Sequence, residues 1–356
     1  MSAASRAARK RSAAALIGAC VAAAALLLAG CGGAESGSGS GSTAAARAAG
    51  SSHGARANET APTHGGTSSG RPPTLELAAA TKLPGAVQLP AVTPGSGGVL
   101  ALGGLDAADS SLASVTLIDG RSASTVARLP QALHDAAAAS IGGRAYLFGG
   151  GNAGTASSSI LEVARTGARV AARLPAPASD VAASAIGDTA YVVGGYTETA
   201  PLRTIVAFVP GRPTRVVALL PRPLRYAAVA AVGGRLLIAG GTSGETAQRA
   251  ILSFDPASGA VRQIGELPRA LTHAAGASLG GFMYVIGGRG EGLSEQTSAI
   301  RAIDPASGSV SSAGRLPEAL SDLGAASLPG RIVAVGGRDA AGTVQDRALT
   351  LLPASR

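Results

Sequence analysis

Short apolar runs, each bounded by glycine or proline, recur from residue 74 to the C-terminus. After a Leu-Pro pair comes a run of very small residues, such as 136–139 (AAAA). A glycine-containing turn and a more strongly apolar run follow, such as 145–148 (AYLF), which ends at a glycine pair. A polar loop and two further runs complete the unit. Because short apolar runs between turn residues are typical of β-strands, the pattern predicts four strands in each unit.

The unit recurs at a nearly constant period. The glycine pairs are separated by 46, 45, 46, 47 and 49 residues, and the proline of the Leu-Pro pair always lies 19 residues before the first glycine. The pairs begin at Gly103, Gly149, Gly194, Gly240, Gly287 and Gly336. A constant inner interval with a variable outer one indicates one structural unit, repeated six times and joined by loops of different length.

These repeats resemble the kelch repeat. The resemblance lies in the glycine pair, in a tyrosine three residues before it (Tyr146, Tyr191 and Tyr284), and in the Asp-Pro-x-Ser-Gly turns at 255–259 and 304–308. It implies an all-β fold, a six-bladed kelch-type β-propeller over residues 74–356 with one blade per repeat. Kelch repeats usually carry a tryptophan on the fourth strand, but this chain has none. The resemblance therefore does not imply a specific function for this chain. The aspartates of the two Asp-Pro turns, Asp255 and Asp304, are expected to shape those turns only.

The two ends of the repeat region complement each other. The last unit stops after its third predicted strand, at 347–352, whereas residues 74–82 form an additional apolar segment before the first Leu-Pro pair. We expect residues 74–82 to pair with 347–352 and to complete the sixth blade. Such closure would remove an exposed strand edge that promotes aggregation.

The N-terminus resembles a bacterial lipoprotein export signal. Basic residues within the first 12 positions precede an uncharged apolar run at 13–29, which ends in Leu28-Ala29-Gly30-Cys31. The resemblance to a lipobox implies a signal peptide over 1–30, lipidation of Cys31, and a protein anchored to the membrane outside the cytoplasm. A plain signal peptide or an uncleaved membrane anchor are the alternatives. Residues 31–73, rich in Gly, Ser and Ala, are expected to form a disordered tether.

Charge and cysteine content exclude several classes of function. Four of the nine excess positive charges lie within residues 1–30, and the remaining arginines are scattered. This distribution argues against nucleic-acid binding. Removal of the signal peptide would leave Cys31 as the only cysteine, so we expect a monomer without an internal disulfide.

Polar residues recur at the start of the predicted innermost strands and after the glycine pairs. In a propeller these two sets of loops lie on one face, around the central channel, where ligands usually bind. The candidate binding residues are Asp135, Asp180, Tyr226, His273, Asp322, Arg225, Arg289 and Arg338. The alternative for each is a local structural role, since an aspartate before a strand often caps a turn.

Catalytic and metal-binding signatures are absent from the sequence. No nucleophile elbow, zinc motif or phosphate loop occurs, and we expect no cofactor and no metal. A copper radical oxidase would need a cysteine-modified tyrosine and paired histidines, but the repeats contain only His134 and His273. The leading hypothesis is a surface module that binds a glycan or a protein partner.

Two alternative functions remain open from the sequence. One is a sugar mutarotase resembling N-acetylneuraminate epimerases, in which His273, Arg225, Asp135 and Asp180 would bind the sugar or transfer protons. The other is a structural protein of the cell envelope. The isomerase ranks second after the binding module, and the structural protein ranks third. A binding module is favoured over an enzyme because the enzyme signatures are weak.

Overall fold

The computed structural model describes residues 70–355, which form β-strands, turns and loops without a helix. Accordingly, this part of the chain contains no helix that could cross a bilayer. The predicted signal peptide, the lipidation site Cys31 and nearly all of the predicted tether lie outside the described residues.

The described residues contain 27 strands, most of them five to eight residues long. In chain order they are β1 Leu75–Lys82, β2 Ala91–Gly95, β3 Gly98–Leu102, β4 Ser114–Ile118, β5 Ala123–Arg128, β6 Ala137–Ile141, β7 Arg144–Phe148, β8 Gly151–Asn152, β9 Thr155–Ala156, β10 Ser159–Ala164, β11 Gly167–Arg173, β12 Ala182–Ile186, β13 Thr189–Val193, β14 Thr204–Phe208, β15 Arg215–Leu219, β16 Ala228–Val232, β17 Arg235–Ala239, β18 Thr242–Ser243, β19 Thr246–Asp255, β20 Ala260–Leu271, β21 Ala275–Leu279, β22 Phe282–Ile286, β23 Ala299–Ile303, β24 Val310–Arg315, β25 Gly324–Leu328, β26 Arg331–Val335 and β27 Arg347–Pro353.

The strands pair mainly with their neighbours in sequence. Three sheets have four strands, in the orders β2-β3-β4-β5, β6-β7-β10-β11 and β12-β13-β14-β15. A fourth contains β16, β17, β19 and β20 with the short β18 at its margin, and β8 pairs with β9. The largest sheet has eight strands in the order β21-β22-β23-β24-β1-β27-β26-β25. Its two halves meet at one parallel bridge between Leu75 and Gly314.

The first strand of each repeat lies at the centre of the molecule. These strands contact one another in the cyclic order β2, β6, β12, β16, β21, β25 and back to β2. The sheets therefore have a propeller-like arrangement around a common axis. Close approach explains the small residues there: a Cβ on Gly276 would lie 2.5 Å from the backbone nitrogen of Val229, and one on Gly324 would lie 2.3 Å from a Val92 methyl.

The core lies between the faces of neighbouring sheets. Tyr146 packs edge-to-face against Phe208 of the next sheet, with ring centroids 5.1 Å apart, and Tyr191 packs in the same way against Phe254 at 5.3 Å. The tyrosines before the glycine pairs are therefore core residues. Burying large aromatic side chains between sheets supplies much of the favourable free energy of folding.

The two ends of the repeat region pair as the sequence predicted. Strand β1 is antiparallel to β27, with partners running from Leu75 and Pro353 to Lys82 and Arg347. The turn aspartates also behave as predicted, since Asp255 Oδ1 accepts from the N–H of Ala257 and Asp304 Oδ1 accepts from that of Ala306.

Candidate functional site

A ring of six residues with left-handed backbone surrounds the axis, and we call it the axial ring. Each member stands five residues after the proline of its repeat, and the φ angles lie between 52° and 60°. The members are Leu89, Asp135, Asp180, Tyr226, His273 and Asp322. Residues other than glycine rarely adopt this conformation. Five neighbouring pairs are joined by a backbone N–H that donates to the carbonyl of the adjacent member, so tertiary hydrogen bonding holds the ring in this form.

The loops after the glycine pairs lie beside the axial ring. The residue preceding each ring member forms an antiparallel bridge with the first residue after a glycine pair, as Thr272 does with Arg289 and Ser321 with Arg338. This pairing brings both sets of polar loops to one face. We call this face the axial mouth.

Two cavities follow one another along the axis. The first, about 110 Å³, is lined by the axial ring and the residue after each ring member. The second, about 210 Å³, is lined by the innermost strands of all six repeats. Since the same positions of every repeat line each cavity, both lie in the central channel. The side chains of the axial ring form its neck.

Asp180 and Arg225 form a buried ion pair at this neck. Arg225 Nε donates to Asp180 Oδ2 at 2.6 Å, and Arg225 Nη2 contacts the same oxygen. The Asp180 side chain is only 4 % exposed. The guanidinium also lies over the rings of Tyr196 and Tyr226, at 4.5 and 5.1 Å from their centroids. Removing one partner of such a pair leaves a buried charge uncompensated, which makes this arrangement rigid.

His273 is held as a neutral imidazole. It stacks on Tyr226 at 3.8 Å, Arg289 Nη2 lies 3.3 Å from its Nε2, and its Nδ1 lies 3.0 Å from Thr272 Oγ1. Because a guanidinium can only donate, Nε2 accepts and Nδ1 carries the hydrogen that is donated to Thr272. Burial, with the charges of Arg289 and Arg225, lowers the pKa of His273 to about 3.

Asp135 is the complementary case, a carboxyl group whose pKa is raised. Burial raises its pKa well above the usual value, and the negative charges of Asp180 and Asp322 raise it further. Its Oδ1 is buried and has no hydrogen-bond partner within residues 70–355. Burial also raises the pKa of Asp322, although the hydroxyl of Ser321 opposes this shift. The neck thus contains a carboxyl group with a raised pKa and, on the opposite side of the axial ring, a neutral imidazole.

In comparisons with known proteins, the chain matches solved structures but neither a family model nor a curated protein. Among the solved structures that match is the structure of YjhT, with a TM-score of 0.64 and 14 % sequence identity, over 76 % of this chain and 96 % of that one. The chain folds as a β-propeller. At this identity the likeness establishes the fold and does not carry over an activity.

The propeller brings together all eight residues that the sequence singled out. The first of the two axial cavities is lined by five of them, Asp135, Asp180, Tyr226, His273 and Asp322. Arg225 binds Asp180, Arg289 contacts His273, and Arg338 pairs with the residue before Asp322. Within residues 70–355, no three histidine, cysteine or acidic side chains are arranged to hold a metal ion.

Three further polar residues of the mouth were not among those eight. Thr272 Oγ1 lies 2.7 Å from Thr242 Oγ1 and also contacts His273, while Tyr196 lies under the Arg225 guanidinium. Thr242 and Tyr196 occupy the same repeat position as Arg289 and Arg338, the first residue after a glycine pair. Thr272 occupies the same repeat position as Arg225, so repeat alignment brings all three residues to the mouth, although the sequence did not select them as binding residues.

The free energy of unfolding is expected to decrease as the pH is lowered, because of His273. Its folded-state pKa of about 3 lies below the ordinary value of 6.5. The unfolded chain therefore gains a proton that the folded chain does not bind, so stability is complete above the unfolded pKa and is lost from about pH 6.5 down toward 3. The slope is at most about 1.4 kcal/mol per pH unit. Urea unfolding between pH 7 and 4 should show a smaller loss for His273→Gln than for the wild type. Equal slopes in the two proteins would contradict the buried neutral imidazole. Burial also lowers the pKa of His134, but His134 is more exposed, so His134→Gln should reduce the loss by less than His273→Gln does.

Proposed function

We propose that the chain is a six-bladed kelch-type propeller whose axial mouth binds a small anionic carbohydrate. Six repeats, six members of the axial ring and the cyclic contacts of six innermost strands support the blade number. The eight-stranded sheet divides at its parallel bridge into one blade of β21–β24 and another in which β1 pairs with β27. The N-terminal strand would complete the sixth blade in this way.

The charge of the mouth supports an acidic ligand. Within the described residues, neither Arg289 nor Arg338 forms an ion pair with a carboxylate. Asp180 is already neutralised by Arg225, and burial raises the pKa of Asp135.

Arg338 forms no side-chain hydrogen bond within residues 70–355, whereas Arg289 also donates to the carbonyls of Gly290 and Glu291 and to His273 and would share its donors with the ligand. A guanidinium binds a carboxylate with two parallel hydrogen bonds. The neck is smaller than typical ligand pockets, so the sugar ring would lie on the mouth with its acid group pointing inward.

The anionic-ligand proposal predicts a difference between acidic and neutral sugars. In calorimetric titrations, N-acetylneuraminate or glucuronate should bind, whereas N-acetylglucosamine should not. Arg289→Gln should weaken binding of the acidic sugar by about tenfold or more, because a charge-assisted hydrogen bond is lost. Arg121→Gln, an exposed arginine in the turn between β4 and β5, should leave it unchanged. Equal affinity for the neutral sugar would remove the basis of this proposal.

A second candidate function is a sugar mutarotase or epimerase. Opening a sugar ring needs an acid that protonates the ring oxygen and a base that removes the anomeric hydroxyl proton. Asp135, whose pKa burial raises, and the neutral His273 line one cavity and are suited to these two tasks.

The enzymatic candidate is tested by the rate of anomer exchange of N-acetylneuraminate, measured by NMR. The wild type should accelerate exchange over buffer, and Asp135→Asn and His273→Gln should each abolish that acceleration while the sugar still binds. Binding without acceleration in the wild type would leave the binding module as the function. A structural envelope protein would neither bind nor accelerate.

We also propose an extracytoplasmic location with a lipid on Cys31, which rests on the Leu-Ala-Gly-Cys sequence at 28–31. Mass spectrometry of the mature N-terminus should find an acylated Cys31. An unmodified N-terminus at another residue would indicate a plain signal peptide.

A further inference from the structure

The second blade of the propeller contains an internal example of a carboxylate held between two arginines. Arg144 Nη1 donates to Glu162 Oε1 at 3.2 Å, and Arg169 Nη2 donates to Glu162 Oε2. Glu162 is opposite Tyr146 on β7 and opposite Arg169 on β11. One face of this blade thus carries an arginine from β7 and an arginine from β11, with a carboxylate from β10 between them.

The same arrangement recurs in the fourth blade with the carboxylate missing. Ser253 is opposite Leu237 on β17 and opposite Arg262 on β20, as Glu162 is opposite its own partners. Arg235 precedes Leu237 by two residues, just as Arg144 precedes Tyr146. A cleft of about 490 Å³ lies over these residues, bordered by Asp255 and by Pro305 of the next blade. Serine has taken the place of glutamate, and the space is open.

The serine hydroxyl and the arginines of this cleft have few hydrogen-bond or ion-pair partners. Ser253 is 4 % exposed, and its hydroxyl has no hydrogen-bond partner within residues 70–355. Arg262 forms no ion pair in that part of the chain, and Arg235 Nη2 lies 3.6 Å from Asp255 Oδ2. The N–H of Ala257 lowers the pKa of Asp255, which therefore stays charged. One carboxylate thus faces two guanidinium groups, and the cleft is net positive.

We propose that this cleft is a second ligand site, which binds the carboxylate of a small organic anion between Arg235 and Arg262 with the Ser253 hydroxyl as a further donor. The ligand carboxylate would occupy the position that the Glu162 carboxylate occupies in the second blade. The volume of the cleft falls within the range of small-molecule pockets, so the body of such a ligand is accommodated as well.

This site lies at the opposite end of the blade from the axial mouth. Arg235 pairs with Val232 at the hairpin end of β16 and β17, whereas Ala239 at the other end of β17 precedes the glycine pair that borders the mouth. The proposal therefore does not depend on the function proposed for the mouth.

The experiment uses glutarate, whose carboxylate resembles the glutamate side chain. It is done on the full chain in an Arg289→Gln, Arg338→Gln background, which removes both arginines proposed to bind an anion at the axial mouth. Calorimetric titration at constant ionic strength should show one glutarate site. Arg262→Gln should weaken binding by about tenfold or more. Arg169→Gln, the equivalent arginine in the second blade where Glu162 fills the position, should have no effect.

Ser253→Glu provides the sharpest variant, since it restores the glutamate of the second blade. It should abolish glutarate binding while the melting temperature stays at or above that of the parent protein. Retained binding in Ser253→Glu, or an equal loss in Arg169→Gln and Arg262→Gln, would overturn the proposal. Tighter binding of inorganic phosphate than of glutarate would overturn the assignment to a carboxylate.

Discussion

Replacing Gly194 by alanine is expected to destabilise the propeller by about 3 kcal/mol or more, because a left-handed backbone and a steric clash act together. Gly194 has a φ of 61°, and a Cβ there would lie 2.0 Å from the carbonyl oxygen of Leu224. That oxygen cannot move away freely, since it accepts the N–H of Gly195 at 2.9 Å. The first glycine of every pair meets a carbonyl oxygen at 2.0 to 2.4 Å in this way.

The same blade offers a matched control for Gly194. Gly187 has a φ of 60°, but nothing lies within 4 Å of a Cβ placed there. Gly187→Ala should therefore cost only the backbone strain, about 1–2 kcal/mol. Urea unfolding of both variants separates the two contributions. If the two substitutions cost the same, close packing between the blades is not the reason for the glycine pairs.

These glycines explain why so much of the fold could be predicted from the sequence. Close contact between neighbouring repeats allows no side chain at the first glycine, so every repeat shows the same signal at the same distance from its proline. The pairing of β1 with β27 was predictable for a related reason. The last repeat lacks its fourth strand, and residues 74–82 form an apolar segment outside the first repeat. Pairing of the two covers a strand edge that would otherwise be exposed.

The positions of the site were predictable, but the interactions within it were not. A constant distance from the proline places Asp135, Asp180 and His273 on one ring. Their left-handed backbone is not predictable, because Leu89 and Tyr226 adopt it as well and neither residue type favours it. The conformation results from hydrogen bonds between repeats. Likewise, the preference of Arg225 for Asp180, which leaves Asp135 Oδ1 without a hydrogen-bond partner, depends on geometry that spacing does not encode.

The cleft in the fourth blade shows the same limit. Arg262 and Arg169 each lie six residues before the next Leu-Pro proline, so spacing alone places them at equivalent positions, and the strand register agrees. What spacing does not reveal is that Ser253, at the position of Glu162, leaves an unpartnered hydroxyl beneath an open cleft. Repeats therefore serve as internal references once their pairing is known, and a departure from the common arrangement indicates where a ligand can replace a side chain.

Removal of β1 is expected to have the largest effect of all. Deleting residues 1–82 would take away the partner of β27 along seven paired positions and the buried side chain of Leu75, which is 2 % exposed. It would also remove Pro73, whose carbonyl accepts the hydroxyl of Tyr284 at 2.9 Å. The loss of burial and hydrogen bonds corresponds to roughly 5 kcal/mol or more, a large share of the stability of an ordinary domain. Deletion of residues 1–69, which removes none of the described residues, is the matched control.

The shortened protein lacking residues 1–82 should unfold at a much lower urea concentration than the control, and it should aggregate through the exposed edge of β27. Point variants test the same closure without deleting a strand. Leu75→Ala should cost about 2–4 kcal/mol because Leu75 is buried. Leu77→Ala, two residues further along the same strand, should cost much less because Leu77 is 42 % exposed. Equal losses for the two leucines, or a deletion protein as stable as its control, would mean that β1 does not close the ring.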